Sequence, residues 1–182
     1  MMRYLTHRML DAAARRYRMD VEYMHAMLDA SPAAFRKFGR VASLSGHRET
    51  VPGAASHAAR LVGVVAEDCG PCIQLVADMA CDAGMGADQI VAVLSGDLGA
   101  MSHEVILAYA FANALVRRDS DLDERREQVR GRWGDRGVID LTFAAQMTRI
   151  YPMVKAGLGY AKACAAIRVG SALVQPAGKA AS

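Results

Sequence analysis

Apolar residues recur three and four apart along most of this chain, the spacing that gathers them on one face of an α-helix. Leu10, Ala14, Tyr17, Val21, Met24 and Leu28 form one such series and predict a first helix from about Leu5 to about Asp29. Ser31-Pro32 is a helix start signal, with Ser as the cap and Pro in the first turn, and Phe35, Phe38 and Val41 continue on one side. The polar segment from Ser45 to Pro52-Gly53 reads as a loop. Ala54 to Ala66 is small and apolar throughout and predicts a buried helix. After Glu67-Asp68 a new helix starts at Cys69-Gly70-Pro71-Cys72, capped by Asp68 or Cys69, and runs to about Ala83. A short helix from about Ala87 to Leu94 stops at Gly96, and another begins near Ser102 with Val105, Ile106, Tyr109, Phe111 and Leu115. Asp119 to Gly137 is highly charged, with Gly131 and Gly134 flanking Trp133. The last helical region begins near Val138, with a bend expected at Pro152 and a continuation over Ala156 to Val169. No internal repeat and no strand pattern longer than a few residues is present. The expected class is all-α: an N-terminal helix over 1–30, a helical domain over 31–170, and a disordered tail over 171–182.

Composition sharpens this picture. Hydrophobic residues make up 53% of the 182 positions but aromatic ones only 6%, so the core is chiefly Ala, Val, Leu and Met, which suit close-packed helices. The eleven methionines fall at helical spacing and read as packing. The net charge is +3, and no basic stripe interleaves with aromatics, which argues against nucleic-acid binding. No stretch reaches the roughly twenty apolar residues of a membrane span. The opening MMRYLTHRML is basic and amphipathic, as a mitochondrial transit peptide also is, but it lacks the apolar run and cleavage site of a secretory signal. Asp11, Asp20 and Glu22 close behind favour an amphipathic helix of the mature domain and a cytoplasmic location.

Chemistry enters with the cysteines, Cys69, Cys72, Cys81 and Cys164. A single CxxC in an otherwise cysteine-poor chain points to redox work or half of a metal site. Two thiols three apart at a helix start share a side, and the unpaired N–H groups there stabilise a thiolate. Cys72 is expected to be the attacking thiolate, with Cys69 the more exposed partner. Two buried cysteines acting as small hydrophobes are the bland alternative. Zinc would need a second CxxC or an HxxxH at ligand spacing, which the sequence lacks, so no metal is expected. CGPC is also the thioredoxin tetrapeptide, but a helix pattern rather than a strand leads into it here, which excludes that fold. His57 is a candidate base because an imidazole titrates near neutral pH; a surface or interface histidine is the equal alternative. Glu67 and Asp68 read as caps, and so does the Ser102-His103-Glu104 cluster. Cys81 and Cys164 are expected in the core.

The order of elements from His57 through Asp97 (helix, acidic break, CxxC, helix, Gly84-Met85-Gly86, short helix, Gly96-Asp97) resembles the core of the carboxymuconolactone decarboxylase and alkylhydroperoxidase D-like family. Ser102-His103-Glu104 into Ala108-Tyr109-Ala110-Phe111-Ala112 is similar to the next family helix, and Gly137-Val138-Ile139-Asp140-Leu141 leading to Tyr151 and Leu158-Gly159 to a later one. The resemblance spans roughly Ser31 to Cys164. It implies an alkylhydroperoxidase D-like helical bundle, a homo-oligomer (a trimer or a hexamer of two trimers), dithiol–disulfide chemistry at Cys69 and Cys72, a peroxide or disulfide substrate, and a dithiol or lipoyl-type reductant with no bound cofactor. The family pattern places a Glu twelve residues before the first Cys and a His four after the second. Those positions hold His57 and Val76, so half of the proton relay is absent and half is changed. Three readings follow: a thiol oxidoreductase with weak peroxidase activity, a carboxymuconolactone decarboxylase-like lyase, which would not depend on the CxxC, and a non-catalytic oligomeric scaffold.

Overall fold

The computed structural model of the chain describes residues 2–17, 19–161 and 166–177. It is predominantly helical. The elements are α1 (Met2–Tyr17), α2 (Glu22–Ala30), α3 (Pro32–Gly39), α4 (Val41–Ser45), α5 (Gly53–Val65), α6 (Gly70–Asp82), α7 (Ala87–Ser95), α8 (His103–Arg117), α9 (Leu122–Gly157), β1 (Ile167–Val169) and β2 (Ala172–Val174), with a 3-10 turn at Leu98–Ala100.

α5 is the centre of the fold because its sequence is small and apolar apart from Ser56, His57 and Arg60. Ala55, Ala58, Ala59 and Leu61 are fully buried, and the helix packs on α8 and α9 and, more lightly, on α6 and α7. Small residues let backbones approach: a Cβ at Gly63 would overlap the carbonyl oxygen of Ala145 on α9 and stand 3.2 Å from its Cα. Gly63→Ala therefore forces α5 and α9 apart. Overpacking costs about 3 kcal/mol, while alanine's helix propensity returns about 1, so a net loss of roughly 2 kcal/mol is expected. Urea denaturation checks this against Gly131→Ala, where the added Cβ meets open space and no loss is expected.

Local signals set most helix ends. Ser31 Oγ accepts from Ala34 N–H (3.2 Å) at the start of α3, with Pro32 in the first turn. α7 stops at Gly96, which is left-handed (φ 73°), and Asp97 N–H reaches back to Ala92 O. The loop into α5 is held from a distance. Asp140, fully buried on α9, accepts from the backbone N–H groups of Glu49, Thr50 and Val51 at 2.9–3.1 Å and from the Thr50 hydroxyl.

Four expectations are corrected. The first helix is two, because α1 ends at Tyr17 and α2 begins only at Glu22. The charged stretch before Val138 is itself helical: Arg125–Asp121, Arg126–Asp123 and Arg130–Glu127 pair three or four apart along its surface. α9 passes through Pro152, and its interruption falls instead at Gly134 (φ 70°, ψ −172°), a conformation open essentially only to glycine. The expected helix over Ala156–Val169 ends at Gly157, and residues 167–174, partly placed in the tail, form an antiparallel hairpin with Ile167 opposite Val174. The hairpin is docked by Gln74 on α6, whose side-chain amide donates to Arg168 O and accepts from Arg168 N–H, both at 2.8 Å. Ile167, Val169 and Val174 thereby enter the core. Residues 162–165, which include Cys164, and 178–182 of the expected tail lie outside the described residues. Among the described residues no helix is long and apolar enough to cross a membrane.

Candidate functional site

Cys69 is the N-cap of α6, in extended backbone (φ −105°, ψ 93°), and Pro71 occupies the first turn, where it gives up no helical hydrogen bond. N-cap and third helical position face one another at any helix start, as the capping box exploits. Here those positions hold Cys69 and Cys72, whose Cα atoms are 5.2 Å apart and whose sulfurs are joined in a disulfide. The two thiols differ in surroundings, in the opposite sense to that expected: Cys69 is buried, 4% exposed, and Cys72 is the one that opens onto a cavity.

The cavity measures about 330 Å³. Stripes from three helices wall it: His57, Arg60 and Val64 of α5; Cys72, Leu75, Val76 and Met79 of α6; Thr148, Tyr151, Pro152 and Lys155 of α9. Ala13 and Tyr17 of α1 with Tyr23 and Met24 of α2 close it. α6 is thus divided along its length, since Ile73, Ala77 and Ala80 on its other side are buried in the core. α1 is attached through polar contacts, among them Arg3–Asp29, His25–Asp11 and Arg16–Asp82.

Within this apolar chamber the polar groups fall into two sets. Lys155, 2% exposed, pairs with Asp20 (3.3 Å) and lies 5.7 Å from the Tyr23 ring centroid. Burial raises the pKa of Tyr23, with Tyr151 and Asp20 adding to the effect, and burial raises that of Tyr151 also. The second set is His57 and Arg60, one turn apart on α5. His57 is 8% exposed, and its Nδ1 is buried with no hydrogen-bond partner; Arg60 Nε is in the same condition. Burial first, then the charges of Arg60 and Arg48, push the His57 pKa down to about 4. The ring is therefore neutral at pH 7 and a weaker base than the sequence suggests. Val76 stands on the cavity wall and supplies no proton carrier.

No protein-family profile, curated protein or solved structure matches this chain.

The structure thus brings Cys72 and His57 to one cavity and sets Cys69 behind Cys72. The other candidates lie elsewhere. Cys81 is exposed rather than core, and burial of its sulfur together with Asp78 and Asp82 raises its pKa. Glu67 is committed to Arg149 through two 2.6 Å contacts. Glu104 pairs with Arg132 instead of capping α8, and the Ser102 N–H is taken by Gln89. Among the described residues no group of three or more His, Cys, Asp or Glu side chains is placed to hold a metal. The groups missed by sequence reasoning are Arg60, Tyr23, Tyr151 and Lys155. Arg60 carried a signal, being the only charged residue in the helix GAASHAARLVGVV.

Proposed function

We propose that this chain is a thiol-dependent oxidoreductase of the alkylhydroperoxidase D-like kind, acting through Cys72 and Cys69. The observation that carries the reading is the Cys69–Cys72 disulfide at the start of α6 with Cys72 facing a partly open, largely apolar cavity. In the dithiol form the Cys72 thiolate attacks the outer oxygen of a hydroperoxide. The O–O bond breaks, the alcohol leaves with a proton, and Cys72 becomes a sulfenic acid. Cys69, as thiolate, attacks Cys72 Sγ; the S–S bond forms and the oxygen departs as water after taking a proton. An external dithiol then returns two electrons and two protons. Neutral His57 serves as a hydrogen-bonding group, and without a histidine at position 76 the peroxidase step is slow. The resemblance further implies a homo-oligomer.

Val76 favours a second reading, a non-catalytic scaffold with a structural disulfide. Alkylation of the reduced protein across pH, with the labelled cysteine identified by mass spectrometry, separates the two. Cys72 is expected to react with an apparent pKa below the ordinary value of about 8.5, because the helix N-terminus favours its thiolate. Cys81 serves as the internal control: its raised pKa makes it react only at higher pH, despite its exposure. Cysteines that all react at or above the ordinary value would remove the enzymatic reading.

A further inference from the structure

We infer that the cavity in front of Cys72 binds an anionic amphiphile, a medium-chain carboxylate whose head is held by Arg60 and His57 and whose tail lies along the apolar wall of α6. This rests on the proposed oxidoreductase for its meaning, since it names the class of molecule that would meet Cys72, but the binding itself requires no turnover.

Arg60 carries the argument. An arginine drawn into an apolar chamber is ordinarily tied to a carboxylate, because an uncompensated buried charge is costly. Arg60 has no hydrogen bond or ion pair among the described residues, and its Nε is shut off from solvent. Burial, then the like charge of Arg48, disfavours its charged form. Arg60 is partly buried and only its Nε is closed to solvent, so the rest of its guanidinium stays open to an anion. His57 gives the second, independent sign: it is more than nine-tenths buried, faces the same cavity, and its Nδ1 is also without a partner. Being three apart on α5, the two side chains share a face. A carboxylate in the cavity can accept from the accessible guanidinium nitrogens and from an imidazole N–H. The other cavity cation, Lys155, already has Asp20, so the preference for an anion centres on Arg60.

The remaining wall fixes the rest of the ligand. Leu75, Val76 and Met79 add apolar side chains to the cavity wall beside Cys72. At roughly 30 Å³ for each water-sized group, 330 Å³ holds on the order of ten non-hydrogen atoms, the size of octanoate. Val76 acquires a role on this reading: where a histidine would place a polar group beside the tail, valine keeps the wall apolar.

The test is calorimetric titration of the oxidised protein, with its disulfide intact, using octanoate, octan-1-ol and octylamine. Octanoate is expected to bind at least about tenfold more tightly than octan-1-ol, and octylamine not to bind. Arg60→Gln is expected to remove the preference for octanoate while leaving octan-1-ol binding unchanged, and His57→Gln to weaken octanoate alone. Equal binding of all three wild-type ligands, or no binding of any, overturns the inference, and this comparison stands even if a variant fails to fold. If octanoate binds the oxidised protein but no cysteine of the ligand-free reduced protein reacts below its ordinary pKa, the redox reading falls and the ligand stands; a low-pKa Cys72 without octanoate binding does the reverse.

Discussion

Cys72→Ser is expected to abolish thiol-dependent turnover, by at least about 10³-fold, whereas Cys69→Ser should complete one attack and stop. The asymmetry follows from position. Cys72 opens onto the cavity, while Cys69 is buried behind it as the α6 cap. A serine hydroxyl is un-ionised at neutral pH and cannot replace a thiolate as nucleophile. In Cys69→Ser the first step survives but no second sulfur displaces the oxygen, so Cys72 should accumulate as the sulfenic acid. Rapid quenching of the reduced variants with a hydroperoxide, followed by mass spectrometry, reads this directly. One added oxygen on Cys72 in Cys69→Ser, and no burst in Cys72→Ser, is the expected pair of results. A burst that survives in Cys72→Ser and modifies Cys69 would reverse the roles assigned to the two sulfurs.

Asp140→Ala is expected to cost the fold about 3–4 kcal/mol, a large part of the 5–15 kcal/mol that holds an ordinary domain together. The carboxylate receives three backbone N–H groups and a hydroxyl. Without it Glu49 and Thr50 can turn to water, but Val51, fully buried, cannot, and an orphaned buried donor costs about 1–3 kcal/mol beyond the charge-assisted bonds lost. Asp140→Asn keeps an acceptor and should lose about half as much. The same site predicts acid sensitivity. Burial alone would raise the Asp140 pKa, but the N–H groups of Thr50, Val51 and Glu49 together outweigh it and hold the carboxyl below its ordinary range. A group with a depressed folded pKa stabilises fully above its unfolded value of about 3.9, and that contribution is lost as pH falls through the folded value. Urea midpoints measured from pH 6 down to pH 3 should therefore fall less steeply in Asp140→Asn than in the wild type; parallel curves would show that another carboxyl governs acid unfolding.

Much of the helical frame was legible because it is written locally. Ser31-Pro32, Pro71 and Gly96 each act through their own backbone geometry, and α5 announces its burial by composition. The hairpin was not legible, since strands of three residues are too short to display a period. The first part of α9 was hidden by its charge: ion pairs three and four apart are a helical signal, but they bury nothing, so the hydrophobic pattern is silent there. Asp140 stood in a segment noted for its family resemblance, yet its partners lie about ninety residues away, a distance over which no local pattern speaks. For the site, CxxC revealed the sulfurs, but which of them opens onto the cavity is set by packing that no local pattern records. His57 was found as a residue, while its low basicity comes from burial and from Arg60 and Arg48.

The division of α6 into a cavity side and a core side has a consequence for descent with change. Leu75, Val76 and Met79 touch the chamber, whereas Ile73, Ala77 and Ala80 lock the helix to its neighbours. Selection for a new ligand can therefore rewrite Leu75 and Met79 without disturbing the letters that keep the helix folded, while Val76, which serves both sides, is held by the core. Lineages that share the same sulfur pair can diverge in what they recognise while remaining alike in architecture, and the record of that divergence should be periodic.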